Sequence, residues 1–246
     1  IDKNKELLSE KSLSTNSYTT ELFKDVNISE MFDFKFKENI EECFNLLNIT
    51  KLQVKDNSII DIENRDGLID LSPCIGIYQE ARFFQNYNID KAIALCEDLK
   101  FKNNLNLRPM RSSDETQPNL KQKNEKIKKL SVEEKILRLV AMETSQARYV
   151  NQVKVPFVSS DGDKKLRERL ATIFSPNEQV QVRCDIDFYD WNGDHIFTAS
   201  GFCDVLKNNI VYELKFVEQL SHEHFLQCAC YMIALNKKLG IIWNTK

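Results

Sequence analysis

The sequence has little glycine and proline, with 6 and 5 residues of each among 246. This scarcity excludes collagen-like and low-complexity classes, and the 42% share of apolar residues excludes a fully disordered chain. No apolar run reaches the roughly 20 residues of a transmembrane helix, so we expect no membrane partner. The length leaves room for one large domain or for a folded core with an accessory segment.

Charge of one sign is also missing, because 34 Lys and Arg residues stand against 37 Asp and Glu residues. The chain lacks the global positive field of a dedicated DNA-binding module, so any contact with nucleic acid is expected to be local. The 7 cysteines include no C-x-x-C pair. This argues against a disulfide framework or a zinc knuckle and favours an intracellular location, in the cytoplasm or nucleus.

The chain starts without an initiator Met or the apolar stretch of a secretion signal, and it stops directly after an apolar run. We therefore expect a fragment of a longer polypeptide, truncated at its C-terminus. Residues 1–125 show segments of mixed polarity typical of helices joined by loops, with a polar, lysine-rich linker at their end. The composition predicts a mainly helical accessory region over 1–125 and a second domain over 126–246.

Patterns in the second half are sharper. A capping box at 131–134 predicts the start of a helix, and apolar residues alternate with polar ones in the segments that follow. The predicted elements are a helix over 131–149, strands over 180–189, 195–205 and 210–217, a helix over 221–236 and a strand over 240–243. This order predicts an α/β fold with a mixed central sheet flanked by helices.

Three charged residues interrupt the apolar strands: Asp204, Glu213 and Lys215. Because side chains alternate along a strand, Glu213 and Lys215 share one face. If the strands pair through the turn at 208–209, Asp204 approaches Glu213 closely enough for both carboxylates to bind one cation. Carboxylates suit Mg²⁺ or Mn²⁺, and a lysine beside the metal can orient or deprotonate a water. The alternative is a surface Glu-Lys pair with an unrelated Asp, since E-x-K triplets are common.

The next predicted helix carries Gln227 and Tyr231, four residues apart and therefore on one face. Both side chains can reach a phosphate or a nucleotide at the charged site. The alternative is a helix surface in which Tyr231 is a core aromatic.

In this order and spacing the residues resemble the PD-(D/E)XK nuclease superfamily, and within it the RecB-like and lambda-exonuclease-like branch with a Q-x-x-x-Y helix. The resemblance covers about 131–246. It implies a restriction-endonuclease-like core and a phosphodiesterase that uses Mg²⁺ or Mn²⁺. By this resemblance Asp204 and Glu213 match the metal-binding acids, Lys215 matches the catalytic lysine, and Gln227 and Tyr231 match the substrate-binding pair.

Many RecB-like members add an upstream histidine ligand, but the histidines here lie within or after the first strand hairpin. Other members use a glutamate on a helix, and Glu143 is the best candidate. It falls at helical spacing with Ile136 and Val140, which places a charge on an apolar face where charge is costly unless paired or metal-bound. The alternative is an edge position paired with Arg148 or a lysine.

The resemblance implies a nuclease that processes DNA ends or single strands during repair, recombination or replication. A helicase or another replication or repair protein is the candidate partner. The alternative is a catalytically silent nuclease-fold module that binds DNA or acts as a scaffold in a larger helicase and nuclease assembly. The intact set of two acids and a lysine argues against a silent module. No chemistry is assigned to 1–125.

Overall fold

The protein is described here by a computed structural model. The described residues are 25–28, 31–32, 36–52, 59–60, 69–105 and 129–246.

Two compact units are formed, and each draws on separate parts of the chain. Unit 1 comprises the described residues of Ile1–Asn57 with Glu178–Asn244, and unit 2 those of Ser58–Asn177 with Thr245–Lys246. The described residues 25–27 join the sheet of the second half. The boundary expected near residue 125 and the linker expected before it lie outside the described residues, so both stay predictions.

Unit 1 is built on a mixed five-stranded sheet. Its strands are β1 (Asp25–Asn27), β2 (Gln179–Tyr189), β3 (His195–Lys207), β4 (Ile210–Lys215) and β5 (Leu239–Asn244). The long strand β3 pairs antiparallel with β2 and β4 and parallel with β1, while β4 pairs parallel with β5. The predicted mixed sheet is confirmed, and β1 is an addition that the sequence patterns did not indicate.

The hairpin between β3 and β4 turns at Asn208 and Asn209, as predicted. Both have positive φ angles, of 51° and 62°. Asparagine tolerates this left-handed conformation, which the tightest hairpin turns require. The turn sets a register in which Val205 lies opposite Tyr212. Asp204 precedes Val205 in β3, so it lies next to the last residue pair that joins β3 to β4.

The described part of unit 1 includes the α-helices α1 (Ile40–Phe44) and α7 (His222–Ala234). Helix α7 begins at a capping box in which the Ser221 N–H donates to His224 Nδ1 at 3.0 Å. Its apolar face packs on the sheet, and the N-terminal segment completes the same core. The buried residues of this core include Ile28, Met31, Phe32, Cys203, Val211, Leu226 and Tyr231.

Unit 2 is helical, as expected for residues that precede the sheet. Its helices are α2 (Ser72–Phe83), α3 (Ile89–Leu105), α4 (Val132–Glu143), α5 (Arg148–Gln152) and α6 (Ser160–Ala171). The capping box of Ser131 and Glu134 is present at the start of α4. Helix α6 was not predicted, because its sequence is polar apart from a narrow stripe that contains the buried Leu166 and Leu170.

The helix predicted over 131–149 is in fact two helices, which corrects the expectation. Helix α4 ends at Glu143, where the Thr144 hydroxyl donates to the Val140 carbonyl at 2.7 Å. Ser145 then adopts a φ of 56°, which a continuing right-handed helix does not allow. Ala147 therefore precedes α5 and does not lie on the apolar face of α4.

All seven cysteines are free thiols. Across the portion of the chain that the structure describes, no helix is both long and apolar enough to cross a membrane.

Candidate active site

Asp204 is held against β4 by its own carboxylate. The backbone N–H of Leu214 donates to Asp204 Oδ2 at 2.7 Å. This N–H lies beyond the last residue pair of β3 and β4, so its acceptor is the Asp204 side chain and not a backbone carbonyl of the neighbouring strand. The bond ties the Asp204 carboxylate to the residue that follows Glu213 in β4. The binding of one cation by the two acids stays a prediction.

Glu213 is the most deeply buried acid among the described residues of unit 1, at 2% exposure. Its Oε1 accepts a hydrogen bond from Lys215 Nζ at 2.7 Å. Its Oε2 is buried and has no hydrogen-bond partner among the described residues. Burial raises the pKa of the Glu213 carboxyl, and the charge of Lys215 opposes that rise. A buried carboxylate oxygen without a partner is costly, so Glu213 suits a site that acquires a further positive charge.

The donor set fits a small divalent cation. The unpartnered Oε2 of Glu213 and the Asp204 carboxylate supply hard oxygen ligands, which Mg²⁺ and Mn²⁺ prefer. No group of three or more His, Cys, Asp or Glu side chains within the described ranges is arranged to hold a metal. Two carboxylates nevertheless suffice for Mg²⁺, because this ion usually keeps several waters and binds substrate phosphates.

Lys215, the last residue of β4, begins a series of hydrogen bonds that continues through two residues of α7. Its Nζ also donates to Gln227 Oε1 at 2.9 Å, and Gln227 Nε2 donates to Tyr231 Oη at 2.9 Å. Burial raises the pKa of the Tyr231 hydroxyl well above its usual value, and the negative charge of Glu213 acts in the same direction. The hydroxyl therefore stays protonated and neutral. The structure thus places Gln227 against Lys215 and Tyr231 against Gln227, and the contact of this pair with a substrate stays a prediction.

Cys228 follows Gln227 on α7 and is buried in the core of unit 1. Burial, together with the charges of Glu213 and Asp204, raises the pKa of its thiol to about 12. A protonated thiol is a poor metal ligand, so Cys228 acts as a small residue of the apolar core.

Glu143 lies in unit 2, as the last residue of α4. The predicted apolar face of this helix exists, since Ile136 and Val140 are fully buried. The charge of Glu143 contributes to a raised pKa of Cys74, whose main cause is burial. The role of Glu143 as a metal ligand stays a prediction.

Two contributors to the site had only weak sequence signals. Gly201 lies three residues before Asp204 in β3, and its contact with Tyr231 follows from the packing of α7. A Cβ at Gly201 would lie 3.0 Å from Tyr231 Cε1 and 3.1 Å from Tyr231 Oη. The second contributor is His224, whose pKa is lowered by burial and by the charge of Lys215. Its position one turn before Gln227 was the available signal.

Comparison with known proteins gives one match. Residues 176–246 match the family model of the PD-(D/E)XK nuclease superfamily. The match includes β2 to β5 and α7, and with the mixed sheet it confirms the restriction-endonuclease-like α/β fold. It covers Asp204, Glu213, Lys215, Gln227 and Tyr231. No curated protein and no solved structure matches the chain.

Proposed function

We propose that residues 176–246, which match the model of the PD-(D/E)XK nuclease superfamily, form a metal-dependent nuclease that hydrolyses DNA phosphodiester bonds. One observation carries the proposal: a buried acid, Glu213, has one oxygen without a hydrogen-bond partner among the described residues and the other oxygen paired with a lysine. A silent module has no reason to keep this costly arrangement, because an apolar residue of similar size would stabilise the core more.

Each residue has a defined part in the proposed reaction. Asp204 and Glu213 would hold Mg²⁺ or Mn²⁺, which when bound supplies an acidic water and stabilises negative charge on the phosphate. Lys215, held 2.7 Å from Glu213, can orient the attacking water and neutralise the charge that develops on a phosphate oxygen. Glu143 is the proposed additional ligand, on the basis of the sequence resemblance alone.

The finer assignment rests on the Q-x-x-x-Y pattern. We propose exonuclease-like action on DNA ends or single strands in repair, recombination or replication inside the cell, with a helicase or another repair protein as partner. The hydrogen bond between Gln227 and Tyr231 supports the assignment, because it joins the two residues of the pattern to each other beside Lys215.

The proposal is tested by cleavage of end-labelled linear and circular DNA, single- and double-stranded, with Mg²⁺, Mn²⁺ or EDTA. The wild-type chain is compared with Glu213→Gln and Lys215→Met. Lys165→Met is the matched control, because Lys165 forms an exposed ion pair with Asp161 in α6.

We expect cleavage only with a metal, lost in Glu213→Gln and Lys215→Met and kept in Lys165→Met. Cleavage restricted to linear DNA would support the exonuclease assignment, and cleavage of circles would contradict it. A folded wild-type chain that binds DNA but cuts none of the substrates with either metal would refute the nuclease proposal in favour of a silent binding module.

A further inference from the structure

We propose that Gly201 and Tyr231 are positioning residues for Lys215, and that Tyr231 acts through Gln227 without touching the substrate. The inference rests on the proposed function, since it concerns the lysine of the same site. It differs from the substrate-binding role that the sequence resemblance implies for Gln227 and Tyr231. The argument follows the chain of contacts from the sheet to the ammonium group.

The first step is the approach of the Tyr231 ring to β3. The ring edge lies against Gly201, where a Cβ would come within 3.0 Å of Cε1 and 3.1 Å of Oη. These distances are tighter than nine in ten real Cβ contacts, so a larger residue at Gly201 would require the ring to shift by a few tenths of an ångström. The ring is 2% exposed and has little room to move. The absence of a side chain at Gly201 therefore determines where the hydroxyl lies.

The second step is the orientation of the Gln227 amide. Lys215 Nζ has only donors, so it requires the amide oxygen, and Oε1 accepts from it at 2.9 Å. The amide nitrogen is then directed to the other side, where it donates to Tyr231 Oη at 2.9 Å. Tyr231 is the acceptor that makes this orientation fully hydrogen-bonded. Without it, the amide loses a partner and its hold on Lys215 weakens.

The third step concerns what Gln227 can still do. Its amide oxygen and its amide nitrogen are both used within the protein. A contact with a phosphate would have to break one of these bonds. Gln227 is therefore placed to hold Lys215 and not to bind a phosphate.

The kinetic test uses Tyr231→Phe, which removes only the hydroxyl, and Gly201→Ala, which displaces the ring. We expect kcat to fall about tenfold in Tyr231→Phe, the equivalent of one lost hydrogen bond. Affinity for DNA in EDTA should stay within about twofold of wild type, because no phosphate contact is removed. Matched controls are Tyr189→Phe, at an exposed position, and Gly76→Ala, where an added Cβ meets nothing within 4 Å.

A double variant tests whether Tyr231 acts through Gln227. If it does, Gln227→Ala with Tyr231→Phe loses no more kcat than Gln227→Ala alone. Independent losses that multiply would overturn the proposal. Weaker DNA binding with an unchanged kcat would overturn it as well, since that is the result of a direct substrate contact.

A second readout does not depend on activity. Reductive methylation of the metal-free protein, followed by mass spectrometry, gives the reaction rate of Lys215 relative to Lys165 in the same sample. We expect this ratio to rise about twofold or more in Tyr231→Phe and Gly201→Ala, because Lys215 is released from Gln227. The ratio should not change in Tyr189→Phe or Gly76→Ala.

The two readouts separate the two proposals. If the wild-type chain cuts no DNA while the Lys215 ratio still rises, the nuclease proposal fails and the positioning role stands. An unchanged ratio in Tyr231→Phe overturns the positioning role whatever the activity. If Gly201→Ala does not fold, Tyr231→Phe decides the matter, because it adds no atom to the core.

Discussion

Replacement of Lys215 by methionine would leave a buried carboxylate without its cation. Lys215 Nζ lies 2.7 Å from Glu213 Oε1, and the Glu213 side chain is only 2% exposed. The other oxygen, Oε2, has no hydrogen-bond partner among the described residues. Removal of one member of a buried ion pair costs about 3 to 5 kcal/mol. Because the Lys215 side chain is 18% exposed and Glu213 can take up a proton, we expect about 3 kcal/mol at neutral pH.

The loss should depend on pH in a defined direction. Burial raises the pKa of Glu213 and the Lys215 charge lowers it, so loss of the lysine leaves the raising effect unopposed. A carboxyl group whose pKa is higher in the folded state binds more protons there than in the unfolded chain. Its stabilisation is present at low pH and is lost as the pH rises through the folded pKa. The penalty of Lys215→Met is therefore small near about pH 4 and grows toward about pH 8.

Urea unfolding in EDTA, followed by tryptophan fluorescence, measures the effect in unit 1. Both tryptophans, Trp191 and Trp243, belong to this unit. In a thermal melt, about 3 kcal/mol corresponds to roughly 6 to 12 °C for a chain of this size. Lys165→Met, which removes an exposed lysine of unit 2, should leave this transition unchanged.

A double variant, Lys215→Met with Glu213→Gln, removes both charges. It should recover more than half of the lost stability, because the penalty comes from an unpaired buried charge and not from the lost pair itself. A double variant as unstable as Lys215→Met alone would refute this reasoning. So would a penalty that shrinks as the pH rises.

Two further predictions concern the packing and the charge of α7. Gly240→Ala should destabilise unit 1 by about 1 to 3 kcal/mol in the same fluorescence assay, as overpacking does. The Cβ added at Gly240 would lie 2.6 Å from Cys228 Sγ and Met232 Sδ. The control Gly76→Ala adds a Cβ that meets no atom within 4 Å, so it should not destabilise the protein. Equal stability of Gly240→Ala and wild type would contradict the packing of α7 on β5. In an NMR titration, the His224 ring should titrate below its ordinary pKa of 6.5, because burial and the Lys215 charge both disfavour the imidazolium. His224 therefore favours folding less as the pH falls, and a midpoint at or above 6.5 would show that this account of its surroundings is wrong.

Local sequence patterns were sufficient for the acids and the lysine of the site. The two-residue period of a strand places Glu213 and Lys215 on one face, and the Asn208-Asn209 turn sets the register that brings Asp204 to them. The start of α4 was equally local, since its capping box lies within four residues. Such features depend on neighbours in the chain, so a single sequence suffices to predict them.

Other local expectations failed where a distant contact or a single backbone angle decided the outcome. The apolar spacing of 131–149 predicts one helix, yet Ser145 adopts a positive φ and ends it. Nothing in the composition of the N-terminal half indicates that β1 pairs with β3. That pairing joins residues more than 150 positions apart, and its register is set by the core of unit 1, to which Ile28 contributes.

By itself, the sequence determined the chemical identity of the site and the strands that carry it, because residue type, alternation and turn chemistry are local properties. Only the tertiary structure decided how each group is held. The Glu213 oxygen lacks a hydrogen-bond partner among the described residues because it is buried. The series of contacts from Gly201 through Tyr231 and Gln227 to Lys215 joins three separate elements, β3, α7 and β4. Burial and contact between separate elements depend on the packing of the whole unit, which no short stretch of sequence encodes.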